Sequence, residues 1–353
     1  MELGLPGEET QRLAQRAADR LITAGRKATA REDMRAAANL LDRAARLLES
    51  RDPSRLQVVA DLASALAIVG DLGRAGELLD EALSGARAAG ERRIEHHVVV
   101  DRELLRLRTD IEGGTARIPA IADEAIRVFE ELGDEQGIAK AWRLLSEVGW
   151  SACRFGDSAG ALERALEHMA RTSNRRGEEE ARARVTEAWS AGPMTVAEAL
   201  PRSEAMLASS EAGPLTEARL LSLVAVQSAC HGDIDSARRL SERSEAMLEE
   251  LGALVGLATS KHKRAQVEVL AGDPKKAEEK WRESCDIFLA VGERGYLSTR
   301  AAELAEKAPA RWASTTRRSI TWSWPGRRAQ ATTSRRRRDG AARARSCLRV
   351  GAS

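Results

Sequence analysis

Four stretches of the chain repeat one phrase: VGDLGRAGELLDEAL from Val69, FGDSAGALERALEHM from Phe155, HGDIDSARRLSERSE from His231 and AGDPKKAEEKWRESC from Ala271. Each holds Gly-Asp with an alanine five residues after the glycine, giving the pairs Gly70 and Ala75, Gly156 and Ala161, Gly232 and Ala237, and Gly272 and Ala277. Degenerate copies stand at Glu32 and Asp33 with Ala37, and at Gly192 and Pro193 with Ala197; a weaker one stands at Gly113. Successive turns then fall about 36 to 43 residues apart, a period that marks stacked supersecondary units. In each unit the glycine takes the left-handed conformation that ends one helix, and the aspartate caps the next by accepting from its free N–H groups. The alanine lets two antiparallel helices approach closely. Small residues seven positions before the turn, Gly25, Ala63, Gly149, Ala225 and Ala265, stand where the first helix would face it.

The stretches between turns read as uninterrupted helices, apolar at helical spacing, as in Ala141, Trp142, Leu144, Leu145 and Val148. With three phenylalanines, one tyrosine and little alternation, a sizeable sheet is not expected. The expected fold is all-α. A leader covers 1–13, an array of about seven antiparallel helix pairs covers 14–306, and a tail covers 307–353.

A small residue, a Gly-Asp turn and an alanine five on, with Trp281 four residues after Ala277, resemble the tetratricopeptide repeat, lengthened from its usual 34 residues to about 40. The resemblance implies a right-handed superhelix whose first helices line a concave groove. The phrases at 28–44, 129–145 and 191–200 are similar to the C-terminal repeat region of bacterial, mostly actinobacterial, regulators. In that family a class III adenylate/guanylate cyclase domain and an AAA-type ATPase module precede the repeats. This second resemblance implies a sensor or scaffold portion without the catalytic domains. Its partner would be a protein or peptide segment, or adjoining domains of a parent regulator.

Charge divides the chain sharply. Residues 307–353 hold 13 basic residues and one acid; the totals of 56 basic and 54 acidic leave 43 and 53 for residues 1–306. Where another repeat turn is due, near residue 313, the chain instead reads RRSITWSWPGRRAQATTSRRRRDG from Arg317. A codon set for Arg311 to Trp324 can be shifted to restore a glycine with an alanine five residues on. The tail is therefore expected to be out-of-frame and disordered. The rival expectation is a basic tail that binds nucleic acid or anionic lipid, its arginines on phosphates and Trp312, Trp322 and Trp324 on bases. Loss of a terminal cap predicts that residues 270–306 exchange amide hydrogens faster than the centre.

Catalytic chemistry is not expected. There is no GxxxxGK[ST] to cradle phosphate, and Gly113-Gly114 is followed by Thr-Ala-Arg-Ile-Pro without the lysine. His96 and His97 are adjacent, so on a helix they diverge and read as a surface pair. Cys230 and His231 lack a third orienting group. Cys153, Cys230 and Cys285 read as small buried hydrophobes, and the four cysteines show no metal or disulfide spacing. With no apolar run of about 18 residues and no signal-peptide start, the expectation is a cytoplasmic protein with no cofactor and no membrane contact. What remains is the groove. Counting back from each turn places Arg143, Trp150 and Arg154, then Arg182 and Trp189, Arg219, and His262 with Gln266 on its wall, as anchors for an acidic or aromatic peptide. Two alternatives stay open: Trp150 and Trp189 as core between repeats, and a small effector in place of a peptide.

Overall fold

Short turns dictate a chain of helices here, because each turn reverses direction without leaving room for a strand. The computed structural model describes residues 7–49, 52–110, 114–172, 174–192, 194–208 and 213–297; among them the backbone forms fourteen helices and no strand. In order these are α1 (Gly7–Ala30), α2 (Met34–Leu47), α3 (Pro53–Val69), α4 (Leu72–Ala89), α5 (Arg92–Thr109), α6 (Ile118–Glu131) and α7 (Glu135–Ser151). Then follow α8 (Phe155–Met169), α9 (Arg175–Ala191), α10 (Val196–Ala208), α11 (Pro214–Cys230), α12 (Ile234–Leu251), α13 (Leu254–Leu270) and α14 (Pro274–Ala290). A further helical turn begins at Gly295.

The turn after α3 shows the local chemistry. Gly70 is left-handed at φ +96°, Asp71 N–H reaches back to Leu66 C=O at 3.0 Å, and the Asp71 carboxylate accepts from Arg74 N–H at 3.3 Å. Asp33, Asp233 and Asp273 cap α2, α12 and α14 in the same way, at 3.0 to 3.1 Å. Ala37, Ala75, Ala237 and Ala277 are all fully buried against the preceding helix. A second series of turns, through Gly90, Gly133 and Gly252, joins α4 to α5, α6 to α7 and α12 to α13 with the same backbone closure, and Gly292 closes α14 likewise.

Two turn assignments need correction. Gly156 lies inside α8, and the left-handed residue there is Cys153 at φ +56°, with Arg154 N–H bonding Gly149 C=O at 2.8 Å. The close-approach position five residues on is then Ser158, which is buried, whereas Ala161 is only half-buried. A Cβ on Gly149 would stand 2.7 Å from Ser158 N, so this helix pair meets at Gly149 and Ser158. In the turn after α9, Gly192 is not left-handed, the Glu198 carboxylate accepts from both the N–H and the hydroxyl of Thr195, and the buried small residue is Ala199 rather than the exposed Ala197. Pro201 sits inside α10, where an uninterrupted helix was expected. Gly113, the leader through residue 6 and the whole 307–353 tail lie outside the described residues.

Each helix packs on its successor. Among the odd-numbered helices, α3 touches α5, α5 touches α7, α9 touches α11, α11 touches α13, and α13 returns to α3. One hydrophobic cluster therefore joins Leu62 and Leu66 of α3 to Val255 and Ala258 of α13 and to Phe288 and Val291 at the end of α14. The Glu32 carboxylate accepts from Leu215 N–H at the start of α11, and Arg294 N–H bonds Arg108 C=O at 2.6 Å. Part of the last helix pair is thus covered by α3, against the expectation of fast exchange there, while Val269, Leu270 and Leu289 stay exposed. Among the described residues no helix is long and apolar enough to cross a membrane.

Candidate functional site

The odd-numbered helices carry charges at spacings that hold one face. Glu180, Arg184 and Glu187 follow at i, i+4 and i+7 on α9, and Arg143 and Glu147 at i and i+4 on α7. Arg108 comes from α5, Arg219 from α11 and Lys263 from α13. The Glu187 carboxylate takes Lys263 Nζ at 2.6 Å and Arg219 Nη1 at 3.2 Å, tying α9, α11 and α13 together. Arg184 and Glu180 pair at 3.0 Å along α9. These side chains keep partial solvent contact while densely surrounded by protein, as an inner wall would be.

Electrostatics separates the paired from the unpaired. Burial pushes the Glu187 carboxyl up, but Lys263 and Arg219 outweigh it and bring the group to about 2. Glu180 likewise reaches about 2 against its burial, through Arg184, Arg143 and Arg219. Arg184, buried but touching Glu180, is raised above the ordinary arginine value. Arg143, equally enclosed, is lowered to about 10 by burial and by Arg184, which outweigh Glu180 and Glu147; among the described residues no carboxylate touches it. Its Nε is shut off from solvent without a hydrogen-bond partner. Tyr296 stands in the same field: Glu147 first, then burial, raises its hydroxyl pKa.

Of the eight groove residues expected from sequence, only Arg143 and Arg219 join this cluster. Trp150 and Trp189 pack with Ala159, Leu162 and Ala188 between α7, α8 and α9. Trp150 stands edge-on to Phe155 at 5.1 Å, and Trp189 Nε1 donates to Glu163 at 2.9 Å. Both are partly buried and fill the space between these helices, Trp150 at i+7 from Arg143 and so on the same face of α7. Arg154 is exposed in the turn before α8 and pairs with Asp157 at 3.1 Å. Arg182 is half exposed and pairs with Glu178, since two residues along a helix from Arg184 it faces away. His262 is buried, its Nδ1 accepting from Trp281 Nε1 at 3.1 Å, and Gln266 bonds its other ring nitrogen. Glu147, Glu180, Arg184, Glu187 and Lys263 were not anticipated; the charge spacing on α9 was the available signal.

Other expectations shift too. His97 is not a surface residue: it turns inward onto Phe129, 4.7 Å between ring centroids, and bonds Asp134 at 2.9 Å while that carboxylate caps α7. Cys153 and Cys230 are exposed, and only Cys285 of the described cysteines is buried. Among the described residues no three His, Cys, Asp or Glu side chains gather as a metal site.

No family model and no curated protein matches the chain. Among solved structures, the crystal structure of BtubC (BKLC) from P. vanneervenii is similar at 18 % identity, over 80 % of this chain and 91 % of that one, with a TM-score of 0.30.

Proposed function

We propose that the chain is a non-catalytic helical-repeat module of the tetratricopeptide type, with about seven antiparallel helix pairs in a right-handed superhelix, and that it binds a small effector on its inner face. The observation that carries this is the charged cluster itself: Glu187 ties α9 to Arg219 of α11 and Lys263 of α13, and Arg143 of α7 lies in the field of Arg184, Glu180, Glu147 and Arg108. A peptide needs an open groove with anchoring side chains along it. Here Trp150 and Trp189 are engaged in packing between helices, Arg154 and Arg182 pair with neighbouring carboxylates, and the charged cluster suits a compact polar ligand. Binding would act as a signal to adjoining protein segments, in keeping with the resemblance to the repeat regions of cyclase and ATPase regulators.

The test is a thermal-shift screen of the full chain with charged and neutral small metabolites, repeated on Arg219→Gln and on Arg182→Gln. Stabilisation that Arg219→Gln weakens and Arg182→Gln leaves unchanged supports the reading. Hits indifferent to Arg219, or ligands of peptide length whose binding depends on Arg182, would contradict it.

A further inference from the structure

Five inner helices each deliver one basic side chain, Arg108, Arg143, Arg184, Arg219 and Lys263, against the three carboxylates of Glu147, Glu180 and Glu187. With the buried Glu293 carboxylate, which bears on Tyr296 in the same field, the described residues of the cluster have a formal excess of one positive charge. Asp101 and Lys140, further along α5 and α7, pair with each other at 2.8 Å and add no net charge.

The excess is localised. Arg184, Arg219 and Lys263 each touch a carboxylate. Neither Arg108 nor Arg143 has a carboxylate within 4.0 Å among the described residues, and neither is tied elsewhere by a side-chain hydrogen bond. Both act on the same neighbours: Arg143 feels Arg184, Glu180, Glu147 and Arg108, and Tyr296 feels Glu147, Arg108 and Arg184. The backbone also fixes the Arg108 end, since Arg294 N–H holds its carbonyl and a Cβ on Gly295 would stand 2.2 Å from Leu107 C=O. A guanidinium enclosed by protein with a solvent-shielded, unbonded Nε is costly without an anion. Its planar fork matches carboxylate and phosphate oxygens, which accept two parallel N–H bonds.

We infer that Arg143, with Arg108 and Arg184 beside it, holds an oxyanion, the phosphate of a phosphomonoester or a carboxylate of a small dicarboxylate. This inference rests on the effector reading above and adds the ligand's chemistry and its place between α5, α7 and α9.

Calorimetric titration of the full chain with sodium phosphate and with disodium succinate, each against sodium chloride of equal ionic strength, tests it. Binding of either anion above the chloride control is expected, with affinity reduced at least tenfold by Arg143→Gln. A smaller loss is expected in Arg143→Lys, which keeps the charge and removes the fork, and none in Arg154→Gln. Binding of phosphate alone identifies a phosphate ligand; binding of succinate alone identifies a dicarboxylate. Circular dichroism confirms that each variant is folded, and Arg143→Lys serves if Arg143→Gln is not. If neither anion binds but neutral arabinose or cationic spermidine does so in an Arg219-dependent way, the oxyanion is overturned and the effector reading stands. If no ligand responds to Arg143 or Arg219, both fall.

Discussion

Gly70 combines two constraints that another glycine of the chain separates. It is left-handed at φ +96°, and a Cβ placed on it would stand 2.6 Å from Val291 Cγ1 and 3.3 Å from Leu254 Cβ. Gly232 has nearly the same backbone, φ +98°, with nothing within 4 Å of the added atom. Alanine at either site meets the left-handed penalty of about 1–2 kcal/mol. At Gly70 it also forces α13 or the end of α14 away, which adds an overpacking cost of about 1–3 kcal/mol. Gly232→Ala is therefore expected to destabilise by about 1–2 kcal/mol and Gly70→Ala by about 2–5 kcal/mol. Urea unfolding followed by circular dichroism measures both, with slopes compared so that loss of cooperativity is not mistaken for loss of stability. Removing the obstructing methyl supplies the control: in Gly70→Ala with Val291→Ala the excess should shrink, a coupling of about 1–2 kcal/mol. Equal losses at Gly70 and Gly232, with no coupling to Val291, would refute the contact between the ends of α3 and α14.

Other perturbations follow from the same contacts. Glu187 lies at about 2 in the folded chain against an ordinary 4.5, so its contribution, about 3 kcal/mol, is complete above 4.5 and is lost as pH falls toward 2. His97 is lowered from 6.5, chiefly by burial, so the unfolded chain takes up its proton first and stability declines as pH drops below 6.5. Melting temperature against pH should show both declines, with His97→Gln removing only the upper one; a single acid transition unaffected by His97→Gln would contradict this. Trp150→Ala and Trp189→Ala should each cost about 2–4 kcal/mol through lost packing, and leave anion affinity within twofold, measured by unfolding and calorimetry on the same samples. Asp233→Ala, which removes the cap of α12, should cost about 1 kcal/mol in urea unfolding, and a neutral result would show that the cap is satisfied by water.

How much of this was legible in the sequence depended on what each residue signals alone. The all-helical character was legible, and so were the caps Asp71, Asp233 and Asp273, because a left-handed glycine followed by aspartate has one local solution. The same dipeptide misled at Gly156, where it opens a helix, while the left-handed residue is Cys153, which no composition rule marks. The second turn series, with Gly90, Gly133, Gly252 and Gly292, lacks a constant aspartate and so has no dipeptide that marks it. Counting back from turns pointed to Arg143 and Arg219, which join the charged cluster, and to Trp150 and Trp189, which pack between helices, since aromatic bulk is as useful there as on a surface. Glu180, Arg184 and Glu187 carry no local signal beyond their spacing along one face of α9. Their partner Lys263 lies 76 residues beyond Glu187, and only the return of α13 brings it near. That return accumulates from small rotations at every turn and leaves no local mark in the sequence.

Hydrogen exchange over residues 254–291 measures the central claim most directly, because a closed ring and an open array differ most at that end. The account predicts that the inner amides of α13, around Val255 and Ala258, are as protected as those of α3 and exchange together with them. It also predicts that Gly70→Ala accelerates both segments together. Rapid exchange of α13 and α14 against a protected centre, unchanged by Gly70→Ala, would show an open array and contradict the enclosed charged face.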